Sequence, residues 1–219
     1  GVCGTDVSQY RLELRGSPII MGHENVGYIT SVGKQFAARK GVHEGDLVFL
    51  EHYLPCGNCE WDHMGEYRHC TATDWFYDNH AIRYGYTSIE TTPSLWGGFS
   101  QYLYLAPNAI IHKVPDGVTP EEAGTATPMA NGVQWALYEG GVDYSSAVLI
   151  QGPGQQGMCC VIASKHAGTE CVIVTGTAKD ARRLEVAKAI GADYVIDISA
   201  EDPLERIMEI TGGRGIDVS

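Results

Sequence analysis

No stretch of this 219-residue chain is both long enough and free enough of charge to cross a bilayer as a helix, so a membrane is not an expected partner. Basic residues are scarce: 15 Lys and Arg stand against 27 Asp and Glu, a formal net charge of −12. No basic stripe offsets that balance, which argues against nucleic acid, whose phosphates need a basic face. A paired set of cysteines is also lacking. There are seven, and Cys3, Cys159, Cys160 and Cys171 lie outside the single cluster. Cys159 and Cys160 fall in an apparent helix and Cys171 opens an apolar strand. These read as reduced, buried thiols and not as a disulfide framework, which points to a cytoplasmic compartment. There is no internal repeat and no low-complexity segment. An initiator Met is missing from the opening "GVCGTD", and the closing "GIDVS" falls within an apparent strand. The chain therefore reads as an internal piece of a longer one, with length for one large domain or two modest ones.

Two grammars divide what is present. Up to about Pro115, short apolar runs such as "NVGYITSVG", "GDLVFLEHYL" and "GGFSQYLYLAPNAIIHKVP" alternate with glycine and turn signals, the pattern of a mostly-β unit with irregular loops. "TPEEAGTATPMANGVQWALYEGG" reads as linker helices. From about Ser146, apolar runs and helical patterns alternate. "AVLIQ", "CVIVT" and "YVI" predict strands buried on both faces, and "GIDVS" begins a fourth. "GMCCVIASKHAG" and "DARRLEVAKAIG" predict helices closed by Gly168 and Gly191. "DPLERIMEITG" predicts a third, with Asp202 as N-cap, Glu205 completing a capping box and Gly212 after the end. Such alternation implies a parallel, doubly wound sheet.

"LIQGPGQQGMCC" places Gly152, Gly154 and Gly157 in G-x-G-x-x-G spacing directly after an apolar strand and at the start of a helix. That context makes the motif specific for a dinucleotide. Gly152 permits the tight turn, Gly154 lets backbone approach a pyrophosphate, and Gly157 lets the helix pack on the strand. The helix N-terminus, with Gln155 and Gln156, then faces the phosphate charge. An acid at the end of the second strand would favour NAD; Thr175, Gly176 and Thr177 stand there instead, followed by Lys179, Arg182 and Arg183. This favours NADP over NAD.

Cys3 in "GVCGTD" and His23 and Glu24 in "GHENVG" are each competent zinc ligands. A thiolate, an imidazole and a carboxylate, with a fourth place left for water, suit a catalytic site better than a structural one. Further on, "PCGNCEWDHMGEYRHC" sets Cys56 and Cys59 two residues apart and Cys70 beyond, with Asp62 where a third evenly spaced cysteine would fall.

In this order, "GVCGTD", "GHENVG", "GDLVFL", the "CGNC…C" lobe, "GGFSQYL" and "GPGQQG" resemble the zinc-dependent alcohol and polyol dehydrogenases of the medium-chain dehydrogenase/reductase family, over essentially the whole chain. The resemblance implies an α/β fold: a GroES-like, mostly-β catalytic domain with a structural zinc lobe at residues 1–118, then linker helices and a Rossmann doubly wound parallel-sheet domain at 119–219, both truncated. It implies that Cys3, His23 and Glu24 bind a catalytic zinc (Zn2+) that polarises an alcohol oxygen while a hydride passes to NAD(P). Thr5 would pass the proton outward, and Asp6 would orient His23 through its second ring nitrogen. Cys56, Cys59, Asp62 and Cys70 would hold a structural zinc, a carboxylate being an acceptable ligand, with His63 or His69 as substitutes if the loop bends. The substrate would be a small alcohol or polyol, or its carbonyl product, and a homo-oligomer, dimer or tetramer, is expected of the full-length parent.

Two departures stand out. Thr127, before Pro128, occupies a position where alcohol dehydrogenases place a cysteine ligand and polyol-type members often a Glu. Ser8 stands where many relatives carry a relay histidine. Two other functions compete: a zinc-free quinone or enone reductase, which would have no use for the Cys3, His23, Glu24 trio, and a non-catalytic dinucleotide-binding module with zinc for stability only. Weaker signals are the aromatic run at residues 71–98, in which Trp75, Phe76, Tyr77, Tyr84, Tyr86 and Trp96 either wall a pocket or pack elsewhere. Glu51 and His52, after the "GDLVFL" strand, are expected near the active site, whereas His43, His80, His112 and His166 lack ligand partners at useful spacing.

Overall fold

Residues 1–12, 18–74 and 81–219 are described by the computed structural model, and they divide into two units, Gly1–Ala126 and Thr127–Ser219. Trp75, Phe76, Tyr77 and His80 lie outside the described residues.

In the first unit, helix α1 (Gly4–Leu12) precedes strand β1 (Asn25–Tyr28), followed by α2 (Lys34–Lys40), β2 (Leu47–Leu50), α3 (Glu60–His63), β3 (Ile111–Lys113) and α4 (Pro120–Ala123). The three strands form one antiparallel sheet in the order β1-β2-β3, with Val26 opposite Phe49 and Phe49 opposite His112. Alternate residues of β2, Val48 and Leu50, turn inward, as the two-residue period of a strand requires. They meet Ile29, Val42, Leu54, Tyr84 and Trp96 in the core. The aromatic loop thereby resolves into different roles: Tyr84 and Trp96 are core residues, and the Tyr84 hydroxyl donates to the Tyr104 carbonyl at 2.8 Å.

The apolar run over 99–105 forms no strand among the described residues. Its amides go to loop carbonyls instead, Phe99 to Met21 and Tyr104 to Leu95, both at 2.9 Å. The Ser100 hydroxyl sits 2.6 Å from the Gly97 carbonyl and 2.7 Å from that of Tyr102. Such local side-chain bonds compete with a ladder.

The second unit follows the strand–helix alternation. Helix α5 (Ala126–Val133) runs into a π-helical turn over Gln134–Glu139; then come β4 (Ala147–Gln151), α6 (Gln155–His166), β5 (Cys171–Gly176), α7 (Ala181–Ala189), β6 (Tyr194–Asp197) and α8 (Pro203–Ile210). The sheet is parallel, β4 pairing with β5 and β5 with β6. Val218 bridges β4 in parallel on its other side, with the Leu149 amide donating to its carbonyl at 2.9 Å. β4 is therefore central, with parallel neighbours on both sides of it.

Successive residues of β5 face opposite layers. Val172 and Val174 pack with Val161, Leu184 and Ala187 from α6 and α7. Ile173 packs with Ile196 and with Ile207 of α8. Burial on both faces is why these strands read as continuous apolar runs, each such side chain contributing about 1.5–3 kcal/mol relative to exposure. Asp202 caps α8 by accepting from the amides of Leu204 (2.8 Å) and Glu205 (3.1 Å). The return bond of the expected capping box, from the Asp202 amide to the Glu205 carboxylate, is not made. The reciprocal boxes that do form are Thr119 with Glu122 at α4 and Thr177 with Asp180 before α7.

Candidate functional site

Cys3 lies at the start of α1, and His23 and Glu24 directly precede β1; the fold brings one ligand atom from each within 4.8 Å of the others. His23 and Glu24 are buried and Cys3 is half-buried. The mutual reach is close to what donors bound at about 2.0–2.3 Å around one tetrahedral centre require. Asp6 ties two of the three together. As the third residue of α1 it accepts from the Cys3 amide at 2.8 Å, one arm of a capping box. Its other oxygen lies 3.2 Å from His23 Nδ1, although neither atom makes an aligned hydrogen bond. With Nδ1 turned to Asp6, Nε2 is the nitrogen left for a metal. The Thr5 hydroxyl sits 3.7 Å from Cys3 Sγ, and Ser8 is exposed on α1.

The His23 turn is pinned by main chain. The Gly98 amide donates to the Gly22 carbonyl at 3.0 Å, and a Cβ placed on Gly97 would collide with the Ile20 carbonyl oxygen. Around His23, Tyr86 stacks at 5.2 Å between ring centroids and His52 stands edge-on at 5.6 Å. Burial, then the neighbouring His23 and Arg83 charges, push His52 down to about 3. Burial, then the charges of Asp6 and Cys3, push the Tyr86 hydroxyl well above its ordinary value. Of the expected pair after β2, His52 reaches this site and Glu51 does not. Glu51 accepts from the Tyr67 hydroxyl at 2.6 Å and lies 2.8 Å from His112 Nε2. The contact of Tyr86 with His23 was not foreseeable from the sequence, since only the path of a long loop creates it.

The second cluster joins Cys56, Cys59, Asp62 and Cys70, one ligand atom of each again within 4.8 Å of the others; His63 and His69 are not in it. Asp62 Oδ2 accepts from the Gly57 amide at 2.6 Å and lies 3.2 Å from Cys56 Sγ. Burial pushes the Asp62 carboxyl up, but the Gly57 amide and the Cys56, Cys70 and Cys59 thiols more than offset it, so its pKa lies below the usual value. Asp62 Oδ1 is buried without a partner. A donor set of three thiols and a carboxylate with one oxygen orphaned fits zinc.

In the second unit, the glycine turn follows β4. Gly152 has φ +105, the left-handed region that favours glycine. A Cβ on Gly157 would collide with the Gly152 carbonyl and lie 3.2 Å from Ile150, so helix and strand pack together only because Gly157 has none. At Gly154 a Cβ would meet nothing within 4 Å, which leaves an open cradle in front of the backbone. Gly154 is the N-cap of α6 and offers no side chain to its first amides. No N-cap side chain therefore competes for the N-terminal turn of α6, the arrangement that receives phosphate. Gln156 Oε1 is buried there without a partner. Past β5, Lys179 and Arg182 are exposed. Asp180, a carboxylate the sequence reading passed over, accepts from the Thr177 amide (3.1 Å) and hydroxyl (2.8 Å) and pairs with Arg183 at 3.6 Å. No helix among the described residues is long and apolar enough to cross a membrane.

Known proteins share this arrangement. The alcohol dehydrogenase GroES-like domain matches residues 1–116, and the zinc-binding dehydrogenase family matches residues 157–219. A probable alcohol dehydrogenase of Mycobacterium tuberculosis is 37% identical over 215 residues, covering 97% of this chain and 57% of that protein. A sorbitol dehydrogenase of Bacillus subtilis is 32% identical, covering 100% of this chain and 58% of that protein. The crystal structure of an alcohol dehydrogenase from Thermotoga maritima superposes with a TM-score of 0.80 at 30% identity, over 99% of this chain and 59% of the other. The chain thus spans less than two thirds of the length of these relatives.

Proposed function

Because this chain belongs to the zinc-dependent medium-chain dehydrogenase family, we propose that the whole protein is an NAD(P)-dependent oxidoreductase transferring a hydride between an alcohol or polyol, or its carbonyl product, and the cofactor. The observation that carries this reading is the buried meeting of Cys3, His23 and Glu24 beside Thr5. Zinc bound there would polarise the substrate oxygen and lower its pKa, and NAD(P) would supply the hydride acceptor. Asp6 holds His23 and the Cys3 backbone in place, and the Thr5 hydroxyl moves the alcohol proton away from the reacting centre. Residues 1–118 act as the catalytic domain and 119–219 as linker helices and coenzyme domain, with Gly152, Gly154, Gln155, Gln156 and Gly157 cradling the pyrophosphate.

Three finer assignments accompany it. NADP is preferred, supported by exposed Lys179 and Arg182 past β5 and by the engagement of Asp180 with Thr177. Cys56, Cys59, Asp62 and Cys70 hold a structural zinc, supported by the orphaned Asp62 oxygen. The protein works in the cytoplasm as a homo-oligomer.

Metal analysis and turnover of the whole protein test the reading. Two zincs per subunit and reduction of NADP or NAD by a panel of alcohols and polyols are expected. Cys3→Ser should lose one zinc and about a hundredfold or more of kcat/KM. Asp62→Ala should lose the other zinc, which Asp62→Cys retains. Full turnover surviving chelation and Cys3→Ser would sink the zinc mechanism.

A further inference from the structure

Three of the four ligands in the Cys56 lobe come from one short segment. Cys56, Cys59 and Asp62 lie within residues 56–62, and local bonds shape that segment. The Gly57 amide donates to Asp62 Oδ2 at 2.6 Å and the Asn58 amide to Cys56 Sγ at 3.4 Å. Cys70 arrives separately, after residues 63–69, so the cluster closes only where a second arm of the loop returns to the first.

The restraint on that arm comes from the sheet. A 3-10 turn over Tyr67–His69 leads into Cys70, whose amide donates to the Tyr67 carbonyl at 3.1 Å. The Tyr67 hydroxyl in turn donates to Glu51 Oε2 at 2.6 Å, a length of about 2.5–2.7 Å being that of a hydroxyl bonded to an ionised carboxylate. Glu51 is fixed from behind. Its amide donates to the Ile110 carbonyl at 3.0 Å, and its second oxygen lies 2.8 Å from Nε2 of His112, whose ring stacks on Phe49 at 5.7 Å. The far side of Cys70 is held independently. Its carbonyl accepts from the Thr73 and Asp74 amides at 3.0 and 2.8 Å, and buried Arg83 bonds the Thr73 carbonyl. The pair of Glu51 with half-exposed His112 alone would count for little; the bond to Tyr67 is the one that reaches the lobe.

We propose that Glu51 is a positioning residue for the metal of the Cys56 lobe: acting through Tyr67, it holds Cys70 against the other three ligands and sets how long the metal stays. This rests on the zinc reading of that cluster and deepens it. A chelated ion escapes when one arm swings away, and the arm closed over the longest stretch of chain carries the largest entropic cost of closure. Pinning Tyr67 to the sheet restrains that arm before the metal arrives, which is preorganisation. The bonds of Glu51 run to Tyr67, His112 and Ile110 and to no member of the Cys3, His23, Glu24 trio. That trio therefore serves as an internal control.

The experiment follows zinc release from the whole zinc-loaded protein into excess 4-(2-pyridylazo)resorcinol. The phase that Asp62→Ala abolishes belongs to the lobe, and the phase that Cys3→Ser abolishes belongs to the trio. Tyr67→Phe and Glu51→Ala should each speed the lobe phase about tenfold while the trio phase stays within about twofold. The double variant should be no faster than either single one, because both remove the same bond. Glu51→Gln, which keeps an oxygen to accept from Tyr67, should recover most of the wild-type rate. The visible spectrum of cobalt in the lobe should match the wild type in every variant, since the ligands are unchanged. An unchanged lobe phase in both single variants, equal acceleration of both phases, or additive effects in the double variant would overturn the proposal. A wild-type protein that holds two zincs and shows any of these keeps the zinc reading and loses this one. A wild-type protein whose zinc content Asp62→Ala leaves unaltered loses both.

Discussion

Gly157 admits no larger residue without displacement of main chain, because the first atom of any side chain would run into the Gly152 carbonyl. Gly157→Ala should therefore lower the stability of the whole protein by about 1–3 kcal/mol and weaken NAD(P) binding at the same time. Thermal unfolding and a nucleotide titration check both, and unchanged values in both would mean that the turn relaxes freely. This site was legible in the sequence because the three glycines act locally, on one turn between one strand and one helix. The trio of Cys3, His23 and Glu24 was legible through its companions more than through its spacing. Asp180 was missed because its side chain folds back onto Thr177, a local event to which a search for an acid at the strand end is blind. Tyr86 stood out only as one aromatic of a long loop, and its contact with His23 could not be read because it depends on the path of that loop.

Among the elements, strands buried on both faces announced themselves, and β4, β5 and β6 lie where the apolar runs are. The first unit was harder to read. Its strands are three or four residues long, and the apolar run at 99–105 spends its amides on loops. Short strands of that kind depend on polar ties at their ends. Asp46, just before β2, lies 2.7 Å from Lys113 Nζ at the end of β3 and accepts from the His43 amide at 2.8 Å. The Lys113 bond first, and the His43 amide next, hold the Asp46 carboxyl below its ordinary value of 3.8. A carboxylate with a depressed folded pKa contributes stability that is fully present above the unfolded value and lost as pH falls through the folded one. Asp46→Asn should thus be less stable than the wild type at pH 7, and the gap should close as pH drops below 3.8. Salt should narrow it as well, because the pair is near the surface. Urea denaturation across that range is the measurement, and a gap independent of pH would assign the loss to packing.

At the scale of the molecule, the candidate sites fall in different units: both clusters of candidate metal ligands lie in Gly1–Ala126 and the glycine turn in Thr127–Ser219. A ligand that binds only the folded state stabilises by mass action, about 2.7 kcal/mol at a hundred times Kd. Hydrogen exchange on the whole protein should show chelation loosening amides around residues 56–70 and near His23, and NAD(P) protecting those of α6 and β4. Protection by NAD(P) confined to the first unit would misplace the coenzyme. The division into a mostly-β half and an α/β half could be read from the change of pattern near Ser146, although where one unit gives way to the other is decided by contacts that no pattern records.

The glycine pair crossing behind His23 bears on how such a protein can diversify. There the backbone of Gly97 and Gly98 lies so close to residues 20–25 that neither glycine has room for a side chain, and main-chain bonds from Gly98 to Gly22 and from Phe99 to Met21 hold the spine that carries His23 and Glu24. The rings that stand against His23, those of His52 and Tyr86, come from other loops. Drift or design can exchange them and reshape the surroundings, while His23 and Glu24 stay where the crossing of two backbones put them.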